Sequence, residues 1–344
     1  MFKKTNFFKN IPKQKPLPEN ILVSKNNNCG NVEKSKTTLE NYIVEKIYVV
    51  NDVQNLEFIN QKISKIYVIN LNTNNIRKTY IEIIMKKMNI NFNLIRVNKV
   101  NNSPYNMRNC EYGCYLSHLW CLNDAINNNY DEIIIFEDDI VFHKNFKQLF
   151  YNIFSNSNYD FVLLGAYDKF LSTINYKNIQ NNMYYPTSKF ILGAHAIYYS
   201  KKGIEYTLTY KKNNPIVEYD IDLINIFKYF DKTSAICYPN LIVAELSTTN
   251  LNHNYGFLNA KIERQYYNKS QINFNFNNYY FIYLYFFIKK EKIQIDNNTT
   301  FENYIVFILD NYYKDDLIRN NEIKNRIDFG FFTNEDLKMF LLSE

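Results

Sequence analysis

Residues 131–139 read Asp131-Glu-Ile-Ile-Ile-Phe-Glu-Asp-Asp139, an apolar strand ending in three consecutive carboxylates. Ile133, Ile134, Ile135 and Phe136 form an uninterrupted apolar run, the mark of a strand covered on both faces. Three adjacent acids repel one another at neutral pH, so their placement costs free energy unless a cation offsets it. In an open α/β sheet, ligands bind outside the carboxyl ends of the strands. Glu137, Asp138 and Asp139 are therefore the leading candidates for chemistry. Alternate strand residues share a face, which predicts Glu137 and Asp139 on one side and Asp138 on the other. Carboxylates spaced i and i+2 at a strand end can reach one hard divalent cation and the diphosphate it carries. The plainer reading is an acidic loop capping the next helix, a task for which one acid suffices.

Outward from this strand the pattern alternates. Helix 76–89 leads to strand 92–97, helix 112–127 to strand 132–137, and helix 144–154 to strand 160–165. Such alternation predicts a mostly parallel central sheet with helices on both faces. Upstream, Lys46-Ile-Tyr-Val-Val-Asn51 and Lys65-Ile-Tyr-Val-Ile-Asn70 read as two strands around a short helix. Downstream, strand-like stretches at 189–199 and 234–245 flank a helix expected at 219–229. The predicted organisation is a mobile lead-in over 1–42, a catalytic α/β domain over 43–256, and a helical, aromatic-rich extension over 257–344.

Composition narrows the function. The 344 residues carry 46% hydrophobic and 22% charged side chains, which are globular values, and a net charge of only +6. Lysines are spread along the chain, so a nucleic-acid role gains no support. Tyr (31), Phe (27), Asn, Ile and Lys abound. All have AT-rich codons, as in a large DNA virus or an AT-rich microbe, so the bland reading holds for any single Tyr or Asn. With 7 Gly and 4 His in the chain, Gly113, Gly165, Gly193, His118 and His195 carry more information. Five cysteines form no disulfide framework. The basic N-terminus lacks the apolar core of a signal peptide, and the apolar run 279–288 is too short to span a bilayer. A reducing, cytoplasmic setting is the expectation, with a peripheral membrane contact left open.

Further constellations stand beside the acids. In Glu111-Tyr-Gly-Cys-Tyr-Leu-Ser-His118 a glycine permits close backbone approach, and Ser117 and His118 offer a hydroxyl and an imidazole. Cys110, Cys114, His118 and Cys121 cannot share one zinc. Residues 110–121 span about 16 Å along a helix axis, against zinc–ligand distances of about 2.3 Å. These cysteines read as small core hydrophobes. Asp220, in Pro215-Ile-Val-Glu-Tyr-Asp220, suits either an N-cap or a general base. His253, in Asn252-His-Asn-Tyr-Gly256, is a weaker candidate for a late metal or phosphate contact.

Taken in order, these segments resemble glycosyltransferase family 25, the family of bacterial lipooligosaccharide and collagen galactosyltransferases. Ile66-Tyr-Val-Ile-Asn-Leu71 with Arg77 is similar to its opening strand and donor-binding arginine. Gly113-Cys-Tyr-Leu-Ser-His118 resembles its Gly-Cys-x-x-Ser-His helix. Ile135-Phe-Glu-Asp-Asp139 resembles its Leu-Glu-Asp-Asp strand end. Gly193-Ala-His-Ala-Ile-Tyr198, with Pro215 and Asp220, is similar to its Gly-Thr-x-Ala-Tyr and Pro-x-Asp segments. The sequence departs from the family at Asn72-Thr-Asn-Asn-Ile76, which lacks an Asp-Arg, and at Lys99-Val100, where an Asp-Gly turn is usual. The resemblance covers residues 64–250. It implies a GT-A-like fold and inverting transfer of a hexose, galactose or glucose, from a UDP-sugar to a glycan, lipid-linked or protein hydroxyl. It further implies Mn2+ (or Mg2+) at Asp139 and Glu137 with His253. Donor contacts would come from Asn70, Arg77, Ser117, His118, Asp138 and Gly193, with Asp220 as base.

Two other classes compete. A magnesium-dependent phosphohydrolase also places acids at a strand end, but it wants a nucleophilic Asp and a downstream Lys that nothing here marks. A non-catalytic carbohydrate-binding or assembly protein would have no reason to keep three mutually repelling acids.

Overall fold

Strand β4 (Glu132–Glu137) lies between β2 (Lys65–Leu71), which runs parallel to it, and β9 (Ala196–Ser200), which runs antiparallel. The structure is a computed structural model and describes residues 43–48, 57–155, 158–166, 179–180, 183–184, 193–230, 232–238 and 240–244. The expected lead-in, the 257–344 extension, the 279–288 run and His253 lie outside the described residues.

β2 is followed by α2 (Asn75–Lys87) and β3 (Phe92–Val97), which pairs parallel to β2. The chain then returns through α3 (Asn109–Asn127) to β4, on the other side of β2. This reversal puts a topological switch point between the carboxyl ends of β2 and β4, where open α/β sheets hold their ligands. β1 (Ile43–Tyr48) adds antiparallel to the outer edge of β3, and α1 (Phe58–Lys62) joins β1 to β2.

The rest of the sheet is mixed. β9 pairs antiparallel with both β4 and β6 (Phe161–Leu163), and β10 (Ser234–Cys237) is parallel to β6. The short strands β7 (Ile179–Gln180) and β8 (Met183–Tyr184) complete the order β1-β3-β2-β4-β9-β6-β10-β8-β7. The parallel strands expected from the alternation are thus β3, β2 and β4, with a second parallel pair in β6 and β10. β9 inserts between the two sets and runs against both. A separate two-stranded ladder joins β5 (Ile140–Phe142) to β11 (Ile242–Ala244).

Pleating sorts the core into two layers. Ile134 and Phe136 join Val68, Leu94, Tyr198 and the apolar face of α2 and α4 (Phe146–Phe154). Ile133 and Ile135 join Tyr67, Ile95, Tyr199, Phe161 and the α3 side. α5 (Lys201–Asn213) and α6 (Leu223–Tyr229) complete that second layer. Both faces of β4 are covered, so its apolar run is uninterrupted for the reason read from sequence. Among the described residues many aromatics are core: Phe142, Phe146, Phe150 and Phe154 form a chain of ring contacts. Together these elements form a GT-A-like α/β fold.

Candidate active site at the carboxyl end of strand β4

The three acids leave β4 in different directions. Glu137 keeps the parity of Ile133 and Ile135 and faces α3. There Cys114 Sγ donates to its Oε1 at 3.2 Å, and His118 Nε2 lies 3.3 Å from the same oxygen. Asp138 turns to the α2 side, where its Oδ1 accepts from Arg77 Nη1 at 2.7 Å and its Oδ2 from Asn70 Nδ2 at 2.5 Å. The strand ends at Glu137, and Asp138 and Asp139 form a tight turn into β5. Alternation therefore stops before Asp139, whose Oδ2 lies 3.6 Å from Arg77 Nη1. The expected sharing of one face by Glu137 and Asp139 is replaced by a split, because i and i+2 share a side only while the backbone stays extended.

Arg77 is the cation that the acids require. Its guanidinium is buried between Asp138 and Asp139 and belongs to the first turn of α2. Asn74 caps that helix by accepting from the Arg77 backbone N–H at 3.2 Å. Asn70, at the end of β2, also donates to Asn74 O at 3.1 Å and accepts from Arg96. Asn70, Arg77 and Asp138 thus lock the β2 and β4 ends together across the switch point. Asp138 has both oxygens engaged, which gives it a holding role at the wall of the site.

The α3 side holds a different group. Cys114 and His118 are four apart and so lie on one helical face. Together with Glu137 they place one sulfur, one nitrogen and one oxygen donor within 4.8 Å of one another. Among the described residues this is the single three-ligand group. It can hold a divalent ion, with an imidazole and a carboxylate that suit manganese or zinc and a thiol that favours zinc. Cys114 is thus more than a core hydrophobe, whereas Cys121 is buried in the α3-side core as read. The third partner comes from β4, so the cluster is invisible in the helix sequence alone. Burial pushes the Glu137 carboxyl up, yet the hydrogen bonds from His118 and Cys114 outweigh it and hold the group below the ordinary range. Burial, then the Glu137 charge, drives the Cys114 thiol well up.

Ser117 is fully buried, and its hydroxyl donates to Gly113 O at 2.6 Å one turn back. In this structure its hydroxyl is thus engaged within α3. His118 is also buried, and its ring stacks on Tyr219 with centroids 4.2 Å apart. Tyr219 was not singled out in the sequence: tyrosine is too common here for one to stand out.

Asp220 reaches the site from the loop after α5. Its carboxylate does not cap α6, whose N-cap position is Asp222. Instead Oδ2 accepts from Gly193 N at 3.4 Å. Gly193 has φ 113°, a conformation other residues rarely adopt, and this aims its N–H at Asp220. Burial raises the Asp220 carboxyl and the Glu137 charge adds to the rise, against the Gly193 hydrogen bond. Beneath β9, His195 O accepts from Glu137 N at 2.9 Å, and burial lowers the His195 imidazole.

Residues 95–225 match the profile of glycosyltransferase family 25 (LPS biosynthesis protein). The matched stretch contains Cys114, His118, Glu137, Asp138, Asp139, Gly193 and Asp220. Asn70 and Arg77 fall outside it and are tied to it by Asp138. No curated protein matches the chain at a significant level. Among solved structures, one similar chain is a glycosyltransferase involved in the glycosylation of the major capsid of PBCV-1. It is 9% identical, with TM-score 0.35 over 59% of this chain and 97% of that one, a likeness too remote to bear on function. No helix among the described residues is long and apolar enough to cross a membrane. The match implies, for this segment, chemistry between a nucleotide-sugar donor and an acceptor. It identifies residues 95–225 as a glycosyltransferase family 25 domain within the chain.

Proposed function

We propose that the protein transfers a hexose, galactose or glucose, from a UDP-sugar to a hydroxyl of a glycan, lipid-linked or protein acceptor, with inversion. The observation that carries this reading is the meeting, near the carboxyl end of β4, of the Glu137 cluster and a half-buried carboxylate, Asp220, whose pKa is raised first by burial and then by the Glu137 charge. In the proposed reaction the acceptor oxygen attacks the anomeric carbon as the bond to the diphosphate breaks, and Asp220 takes the acceptor proton. A carboxylate moved up toward the working pH is better matched to that task than an exposed one. Attack from the face opposite the leaving group gives inversion. Gly193 orients Asp220, and Asn70, Arg77 and Asp138 fix the β2–β4 wall against which the donor lies. Ser117 serves by packing α3, which holds His118 beside Glu137.

A divalent ion, Mn2+ or a zinc-like ion, would be held by Glu137 with His118 and Cys114. When bound, it would offset the charge on the departing nucleotide diphosphate. Arg77 already neutralises part of the acidic turn, so the ion answers to Glu137 more than to Asp138.

The test is donor hydrolysis by the full chain with Mn2+ and a panel of UDP-sugars. Slow nucleotide release without acceptor, lost in D220N, is the expected result. Phosphate release from simple esters would instead favour a phosphohydrolase. Absence of turnover with every donor would favour a non-catalytic carbohydrate-binding protein.

A further inference from the structure

Lys211 lies near the C-terminal end of α5, yet it is only 1% exposed. Lysine is almost never so buried without a partner. Its Nζ donates to Asp222 Oδ2 at 3.1 Å and to Tyr219 O at 3.1 Å. The ammonium also sits over the ring of Tyr219, 4.5 Å from the centroid, and 5.3 Å from that of Tyr115. Burial pulls the lysine down and Asp222 opposes it.

The two atoms that Lys211 grips lie on either side of Asp220 in the chain. The backbone turns there, with Leu223 N donating to Asp220 O at 3.2 Å. On one side of Asp220, the Tyr219 ring stacks on His118 and its hydroxyl lies 2.8 Å from Tyr199 Oη. On the other, Asp222 makes no capping bond to α6, and its carboxylate pairs with Lys211 beside the Tyr210 hydroxyl. A buried ion pair is weak support for stability, since an apolar pair of similar volume often does as well. What an apolar pair cannot do is hold the Tyr219 carbonyl.

We propose that Lys211 is a positioning residue for sugar transfer, clamping the 219–222 turn so that Asp220 meets Gly193 and the Tyr219 ring meets His118. The inference rests on the reading of Asp220 as the base. α5 thereby acts on the reaction from outside the ligand surface, through the turn alone.

The experiment compares the full chain with K211M/D222A, K211Q/D222N and D220N, reading kcat, donor KM and the melting midpoint. K211M/D222A removes both charges and leaves neither ion unpaired, so it is expected to melt close to the parent. Its kcat is expected to fall by about 10–100-fold with donor KM little changed, the cost of a misplaced group. K211Q/D222N keeps a donor for the Tyr219 carbonyl and is expected to recover most of that loss, which a purely structural pair would not require. Parent-like kcat in K211M/D222A, with D220N inactive, overturns the role of Lys211 and leaves the base intact. Parent-like turnover in D220N overturns the base reading and the positioning role together. If K211M/D222A fails to fold, K211Q/D222N decides alone: a folded variant whose kcat falls as far as about 100-fold overturns the clamp.

Discussion

Arg77 Nη1 donates to Asp138 Oδ1 at 2.7 Å, joining residues 61 apart in sequence, and both side chains are buried. Lys78, the next residue, makes a pair of equal length with Glu82, 2.7 Å, but on the outer face of α2 with both side chains 23% exposed. Burial separates the two energetically. R77M would leave Asp138 and Asp139 without their guanidinium in a site that excludes water. It is expected to lower stability by about 3–5 kcal/mol. K78A is expected to cost no more than about 0.5 kcal/mol. Urea denaturation of the two variants checks the contrast, and equal losses would mean that Arg77 is dispensable to the acidic turn.

Asp220 links stability and activity in opposite senses. Its carboxyl is raised, first by burial and then by the Glu137 charge. A raised acid contributes stability that is full below the unfolded value, about 3.9, and lost as pH rises through the folded value. At neutral pH the native protein therefore bears a cost that D220N removes. D220N is expected to melt at or above the parent at pH 7, with the advantage shrinking as the pH falls toward 4. Turnover in the same variant is expected to fall by about 10²–10⁴-fold. A melting midpoint below the parent's at pH 7 would contradict the raised-carboxylate account.

Much of this was legible in the sequence because the governing signals are local. β3 and β4 occupy 92–97 and 132–137 as their apolar runs indicate, and the strand-end acids lie at the switch point. α5 was not legible. Its buried stripe is Gly203, Ile204, Thr207 and Lys211, helically spaced but with one strongly apolar member. The strand expected over 189–199 begins at Ala196 and runs to Ser200, whose side chain caps α5 by accepting from Gly203 N. The division of labour among the acids was also hidden. Spacing places Glu137 and Asp139 together, and only the turn at Asp138 and the arrival of Arg77 from α2 separate them. Likewise Cys114 and His118 share a helical face in the sequence, but their partner Glu137 is supplied by tertiary packing.

The donor set at Cys114, His118 and Glu137 makes a prediction about ion choice. A thiol, an imidazole and a carboxylate within 4.8 Å favour a zinc-like ion over a purely oxygen-seeking one. Co2+ added to the full chain is expected to give thiolate-to-metal absorption in the near ultraviolet, absent in C114S. The thiol is held well up by burial and by Glu137, so binding must displace a proton. Apparent Co2+ affinity is therefore expected to rise between pH 6 and pH 8, and to be about tenfold or more weaker in C114S. An unchanged affinity in C114S would remove the sulfur from the site.

Two glycines near β9 should respond differently to a single methyl. At Gly165 a Cβ would lie 1.7 Å from Ile242 O, a backbone atom that cannot yield cheaply. G165A is expected to destabilise the fold, because β11 must shift away from the β6 end. Gly193 has φ 113°, so an alanine there strains the backbone by about 1–3 kcal/mol or rotates it. Rotation turns the Gly193 N–H away from Asp220, the hydrogen bond that lowers its carboxyl. G193A is therefore expected to raise the Asp220 pKa further and to move the acidic limb of the kcat/KM profile upward. The measurement is that profile, run on donor hydrolysis with Mn2+, alongside a melt. A limb that stays in place while the melt falls would show that Gly193 shapes the loop without touching the base.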